Sequence, residues 1–463
     1  MHNCLTLNLR YCLVILLMHL SPTTLAANTD ITTLSVCSEE LFQETDARTL
    51  SSPLLDNQRA HLVVNSNTGD CPSIELAVPD TAVTWGRIIN PTLAESPRAR
   101  LILQGHFLPG AVSVSEIINP EPAPAPVASS TALIPPAERP PSENPVAYRS
   151  GWLWQPAWWM NTPEQLFSLA DRENLERVYL TVPVDNGEVT NPQALARFIT
   201  NAHERGIAVW AVVGDRRDVM PESLPALTGR ANAYRYYNRY FPGNASLDGL
   251  QLDIEPYLLP GFTLDQPHWR ERYITTVAAV HELLAGELPL DLVMPVWWGD
   301  HPDWSNQLLE KLTWPDLSVT IMNYRTDTDR LHTGGLPFLD WGEAHGTRVH
   351  MALEYGALAD EQRKHFFPAA NQGQLWLFDL GEHQVLVLLD DNYAGLPGRA
   401  WQLGFESEFS ASTLTFNGNR EALDTAAEVL SRQWSAWSSF AGIAIHGIDS
   451  LEQDQVNATR QPE

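Results

Sequence analysis

Cysteine is scarce, with four in 463 residues. Two of them, Cys4 and Cys12, lie in an N-terminal leader in which Arg10 precedes the apolar run Leu13–Met18 and then Thr24-Leu25-Ala26-Ala27. This is the layout of a secretory signal, and cleavage is expected after Ala26 or Ala27. The apolar run is too short to span a bilayer, and no later segment reads as transmembrane. The chain is therefore expected to be secreted or periplasmic. Cys37 and Cys71 are then the two cysteines of the mature chain, and in an oxidising compartment they are expected to pair, a link worth ~3–4 kcal/mol on the chain-entropy model. Basic residues are also few: 29 Lys and Arg stand against 56 Asp and Glu, for a net charge of −27. Removing residues 1–26, whose one charge is Arg10, makes it −28 (−27 less +1). So acidic a chain argues against nucleic acid or an anionic membrane surface as the partner. The histidines His301, His332, His345, His350 and His446 show no H-x-H or H-E-x-x-H spacing, so no metal site is expected. No glycine-rich phosphate loop, dinucleotide fingerprint or nucleophilic Ser or Cys motif is found, and no cofactor is expected.

Tryptophan, by contrast, is abundant at sixteen residues, and its face suits both a core and a sugar ring. Residues 28–118 contain short β-like runs separated by turn-prone clusters such as Asn67-Thr68-Gly69-Asp70. They predict a small β-sandwich-like domain, serving sugar binding or a structural or docking role. Nine prolines between Pro120 and Pro145 make residues 119–147 an extended, semi-stiff linker. From residue 148 to 463 the pattern becomes regular. Strands are predicted at Gly151–Trp159, Arg177–Val184, Ile207–Asp215, Gly249–Tyr257, Leu290–Trp298, Ser318–Arg325, Arg348–Gly356 and Gly442–Asp449, with helices between most of them. Eight β/α units predict an α/β fold, the (β/α)8 or TIM barrel. The long interval between the seventh and eighth strands predicts a β-rich insertion that includes a hairpin of Gln374–Asp379 and Gln384–Leu389.

Chemistry concentrates in the fourth predicted strand. Leu250, Leu252 and Ile254 alternate with Gln251, Asp253 and Glu255, so the three polar side chains share one face and Glu255 comes last, before Pro256. Two carboxyls on one face raise each other's pKa, which suits Glu255 to general acid/base work. In such barrels the site lies at the C-terminal ends of the strands. Those ends supply Trp154, Trp297, Trp298, Asn323, Tyr324, Arg325, Glu354 and His446. Aromatic rings and carboxyls at one mouth describe a carbohydrate cleft, and a carbohydrate is the expected partner. The same cleft stripped of turnover would be a carbohydrate-binding barrel.

These residues resemble the glycoside hydrolases of family 18, the chitinase-like barrels, across residues 148–463. Their fourth strand carries D-x-x-D-x-D-x-E, matched by Asp248, Gln251, Asp253 and Glu255. Met322-Asn323-Tyr324-Arg325 resembles their Met-x-Tyr-Asp, and Gly442, His446 and Asp449 resemble Gly-x-x-x-Trp-x-x-Asp with His for Trp. The resemblance implies that Glu255 is the acid, with the substrate's N-acetyl group attacking, oriented by Asp253 and Tyr324. Gln251 and Arg325 depart from the family's Asp at both positions, and Ser-x-Gly-Gly is absent from Val209–Asp215. Glu255-Pro256 and Glu354-Tyr355-Gly356 also resemble the retaining clan with catalytic Glu on strands four and seven. That implies Glu354 as nucleophile and Glu255 as acid/base. Both mechanisms stay open on sequence, with Gln251, Asn323, Arg325, Trp154, Trp297, Trp298 and His446 expected to bind substrate.

Overall fold

The computed structural model describes residues 139–448, less 260–261, 263–265, 285, 301–306 and 380–383, together with the backbone of seven strands between residues 32 and 118. The signal segment, Cys37, Cys71, His301 and Asp449 lie outside the described residues. Eight parallel strands close into a barrel: β1 (Arg149–Leu153), β2 (Arg177–Thr181), β3 (Ala208–Val213), β4 (Gly249–Leu252), β5 (Leu290–Pro295), β6 (Leu317–Met322), β7 (Arg348–Glu354) and β8 (Phe440–His446). Each lies where the sequence predicts a strand. The predicted first and fourth strands are too long, because Pro156 and Pro256 begin helical turns at 156–161 and 256–258. Proline has no N–H for a sheet ladder and suits the first turn of a helix.

Strand parity sorts side chains between two apolar layers. Leu250, Leu252 and Ile254 join the large core between the barrel and its helices. The barrel lumen holds its own cluster of Trp152, Tyr179, Trp210, Val212, Val293, Ala352 and Ala444. Helices are placed to cover the outside. Residues 163–173 bury Leu166, Phe167, Leu169 and Ala170, and residues 192–204 bury Leu195, Phe198, Ile199 and Ala202. Both start on proline, at Pro163 and Pro192. Burying each such Leu, Ile or Phe is worth about 1.5–3 kcal/mol. Gly249 admits the Trp210 indole to the lumen, since a β-carbon there would lie 2.3 Å from the Trp210 ring.

Beneath the mouth, the lumen is polar and fully hydrogen-bonded along one path. Trp152 Nε1 donates to Gln251 Oε1 (2.6 Å), and Gln251 Nε2 donates to Asp291 Oδ2 (2.8 Å). Ser318 Oγ and Thr320 Oγ1 also donate to Asp291, at 2.5 and 2.7 Å. Burial raises the Asp291 carboxyl above its usual range, and these three donors offset that only in part. Lower still, Arg177 lies over the Trp210 ring at 4.4 Å and beside His350 Nε2 at 3.3 Å. His350 is buried beside this cation and is held well below the usual histidine range.

The β-rich insertion between β7 and β8 contains strands Glu361–Ala369, Gln372–Asp379, Gln384–Ala394 and Arg399–Phe409. The predicted hairpin is present, and beyond the fourth strand Thr415 forms a single bridge to Glu354. The insertion's four strands sit at the centre of an eight-stranded antiparallel sheet whose flanks come from the N-terminal region. Thr81–Ile88 pairs with Gln384–Ala394 and Arg100–Gly105 with Glu361–Ala369. Leu50–Ser52 and Ser113–Ile118 lie outermost, and Thr32–Ser35, Ser73–Ala77 and His61–Asn65 form a separate three-stranded sheet. No helix among the described residues is long and apolar enough to cross a membrane.

Candidate active site

The carboxyl pair stands where β4 runs out into the mouth. Asp253 N still donates to Val213 O on β3 at 3.0 Å, so the chain keeps its course for one residue past the ladder. Asp253 and Glu255 are half-buried while Ile254 between them is buried, continuing the alternation that Gln251 begins. Asp248, at the other end of β4, is far from this chemistry. Its Oδ2 accepts from Val209 N (2.7 Å) and His203 Nε2 (2.9 Å), tying β4 to β3 and to the helix of residues 192–204.

Burial and the neighbouring Glu255 charge push Asp253 up to about 8. Burial likewise raises Glu255, against the lowering effects of the Tyr257 hydroxyl, His446 and Arg216. Tyr257 Oη donates to Glu255 Oε1. Asp253 Oδ1 is buried without a hydrogen-bond partner among the described residues. Both carboxyls are thus raised, Asp253 far enough to hold a proton at neutral pH, and a raised carboxyl is the condition a general acid needs.

A second unit is built around His446 at the end of β8. His446 Nδ1 is 2.6 Å from Glu354 Oε2, and Trp154 Nε1 donates to His446 Nε2 at 3.1 Å. The indole N–H can only donate, so Nε2 accepts and Nδ1 carries the proton given to Glu354. The imidazole stacks on Tyr324 (centroids 5.8 Å apart, 27° between planes) and meets Trp152 and Trp154 edge-on at 5.7 and 5.9 Å. Glu354 has a side chain only 3% exposed, and its Oε1 accepts from Gly356 N at 2.7 Å. The insertion re-enters beside it, with Phe416 N donating to Glu354 O at 2.9 Å. Gly447, at φ +74°, leaves room for this carboxylate: a β-carbon there would fall 2.6 Å from Glu354 Oε1.

The other expected contacts divide. Trp297 is half-buried and packs edge-on against Tyr257 (5.8 Å) and Phe262 (6.1 Å). Trp298 is fully buried against Tyr273 and Tyr257, so its ring supports the wall and offers no face to a sugar. Gln251 is likewise fully buried in the lumen network, below the carboxyl pair. Asn323 turns away from Tyr324, its Nδ2 donating to Leu331 O (2.7 Å) on the following helix. Arg325 Nη1 donates to Tyr324 O (2.7 Å). Sequence reading missed Arg216 and Tyr257. Tyr257 carried a usable signal, being two residues beyond Glu255. Arg216 is placed by a capping box, Asp215 accepting from Arg217 N and Asp218 from Asp215 N, which only the fold brings near Glu255. Among the described residues, no group of three or more His, Cys, Asp or Glu side chains could hold a metal ion.

No family model matches the sequence, and no curated protein matches it. Solved structures match it at low identity and low TM-score. The spore cortex-lytic enzyme SleL of Bacillus cereus is 10% identical at TM-score 0.34, over 66% of this chain and 72% of that one. A GH18 chitinase from Cycas revoluta in complex with (GlcNAc)3 is 12% identical at TM-score 0.33, over 68% of this chain and 100% of that one. The glycoside hydrolase domain of PelA from Pseudomonas aeruginosa is 14% identical at TM-score 0.29, over 46% and 85%.

Proposed function

We propose that this protein is a glycoside hydrolase acting on a polysaccharide or glycoconjugate outside the cytoplasm, with Glu255 as general acid/base. The observation that carries the reading is the Asp253–Glu255 pair at the C-terminal end of β4, both members raised by burial and Asp253 further by its neighbour's charge. In the form of the pair that carries its proton on Glu255, Glu255 gives that proton to the departing glycosidic oxygen, and Asp253, then the ionised member, faces the developing positive charge at the anomeric carbon. Tyr324, stacked on His446, lines the floor. The leader of residues 1–27 supports export, and the aromatic mouth supports a carbohydrate ligand.

The engagement of Glu354 favours the substrate's own group, or water, as nucleophile over Glu354. Each Glu354 oxygen already accepts a hydrogen bond, from Gly356 N and from His446 Nδ1, and the side chain is buried. In our reading Glu354 is a positioning residue that fixes the His446 ring and tautomer. A screen of polysaccharides with wild type and Glu255→Gln tests the proposal. Cleavage by the wild type and a loss of roughly 10²–10⁴-fold in the variant, the usual worth of a general acid or base, are expected. Equal cleavage by both would remove Glu255 from the role, and binding of a polysaccharide by wild type without turnover would make the barrel a binding protein.

A further inference from the structure

The turn that follows Glu255 is built around a tyrosine to which the proposed reaction gives no part. Residues 255–259 form one tight turn, closed by Leu258 N donating to Glu255 O and Leu259 N to Pro256 O, both at 3.0 Å. Pro256 has its φ held at about −65° by its own ring, so the turn is restricted in advance. Tyr257 folds back in this turn, and its Oη donates to Glu255 Oε1. The tyrosine ring is held edge-on by three aromatic neighbours, Trp297 at 5.8 Å, Phe262 at 6.4 Å and Trp298 at 6.4 Å, with 80° to 88° between planes. Trp298 is fully buried in this brace. Two tryptophans expected to meet substrate thus fix the group that fixes the acid.

The direction of this hydrogen bond decides where the acid carries its proton. Among the described residues, Tyr257 Oη has no other acceptor, and Glu255 Oε2 has no hydrogen-bond partner. A phenol has one proton to give. If Glu255 were protonated on Oε1 and donated to Oη, the Tyr257 O–H would have no acceptor. With Tyr257 donating, Oε1 is filled and the Glu255 proton stands on Oε2, the oxygen left for substrate. Burial and the Glu255 charge hold Tyr257 well above the usual tyrosine range, so it keeps the proton it donates. The charged and titratable groups that bear on this pair from other elements are Asp253 at the end of β4, Arg216 after β3, Tyr324 after β6 and His446 at the end of β8. Tyr257 alone among the described residues hydrogen-bonds to the Glu255 carboxyl. We infer that Tyr257 is the positioning residue of the acid: its hydroxyl, braced by Trp297, Phe262 and Trp298, holds Glu255 Oε1 so that the proton is delivered from Oε2. When that proton passes to the glycosidic oxygen, the Tyr257 O–H is already in place on Oε1 to stabilise the carboxylate that remains. The inference rests on the glycoside hydrolase reading for the reaction, and on the hydrogen bond for the place of the proton.

Tyr257→Phe tests it, since the ring stays and only the hydroxyl is lost. Carbon-13 titration of the carboxyl groups in the glutamate-labelled full chain, with Glu255→Gln to identify the Glu255 signal, needs no substrate. Loss of a donor to the charged form raises a carboxyl's pKa, so Glu255 should titrate at higher pH in Tyr257→Phe than in wild type. On a polysaccharide that the wild type cleaves, kcat should fall by roughly 10–100-fold, the worth of a hydrogen bond to a charged group. KM should stay within about twofold, as for an interaction that acts on the chemical step, and the alkaline limb of the pH–rate profile should move to higher pH. A ring that only packs would move neither the Glu255 titration nor that limb. An unmoved or lowered Glu255 titration, or an unchanged kcat, would overturn the proposal. If no polysaccharide is cleaved, the hydrolase reading fails while the titration still decides whether Tyr257 holds Glu255. Cleavage with an unmoved titration keeps that reading and removes this one.

Discussion

Burial and proximity act in the same direction on Asp253, so its proton affinity is the most pH-sensitive property of the mouth. Its folded pKa, about 8, lies above the ordinary value of 3.8. The folded chain therefore keeps a proton that the unfolded chain gives up. The stabilisation is complete below the unfolded value and is lost as pH rises through the folded one. Asp253→Asn, which cannot ionise, should gain stability relative to wild type on going from acid to alkaline pH, read as the difference in urea midpoints at about pH 5 and about pH 9. A constant difference would show that Asp253 titrates normally. The same raised pair predicts that turnover falls on the alkaline side, as the acid form is lost. Glu354 makes a separate prediction. Glu354→Gln replaces an acceptor by an amide that can donate to His446 Nδ1. The ring must then carry its proton on Nε2, against the Trp154 N–H. Misplacement of this kind should lower kcat by roughly 10²-fold. A loss approaching roughly 10⁶-fold, as for a removed nucleophile, would return Glu354 to that role.

Among the elements, the barrel strands were legible because parallel strands buried on both faces read as apolar runs of fixed spacing. β4 was legible in more detail, since Leu250, Leu252 and Ile254 separate the polar residues that face the lumen. Parity could not say how deep each polar residue lies. Gln251 and Glu255 share a face, yet one is locked in the lumen by Trp152 and Asp291 while the other stands at the mouth. That depth is set by β1 and β5, whose register against β4 is a tertiary fact. Trp298 was misjudged for the same reason: Trp297 and Trp298 look alike in sequence, and only the short helix Trp297–Asp300 decides which ring is buried. Strand Glu361–Ala369 went unread because Glu-Gln-Arg-Lys-His begins it, a charged run with little apolar alternation. The lumen also yields a prediction about packing. Gly249→Val would drive its side chain into the Trp210 ring, and overpacking of this kind costs about 1–3 kcal/mol. A thermal midpoint unchanged from wild type would show that the indole can move aside.

Across the whole molecule, the insertion and the N-terminal region share backbone pairing. The insertion's outer strands, Glu361–Ala369 and Gln384–Ala394, each form a ladder with an N-terminal strand, Arg100–Gly105 on one side and Thr81–Ile88 on the other. Long paired strands whose partners are removed become open edges, and an open edge is a template for another chain. Sequence alone gave no hint of this joint, because pairing between segments so far apart leaves no periodic signal in either. Its consequence can be measured. The chain from residue 119 onward keeps all eight barrel strands and the carboxyl pair, so its barrel should still form. It should also associate through the two exposed insertion edges, seen as a concentration-dependent rise in mass by sedimentation where the longer chain shows none. Placing Lys or Pro at outward positions of Glu361–Ala369 in the shortened chain should reduce that association, as charge and proline do at natural sheet edges. If the shortened chain sediments as the longer one does, the insertion sheet is complete without its N-terminal flanks. The pairing would then be no part of what keeps the insertion sheet closed to other chains.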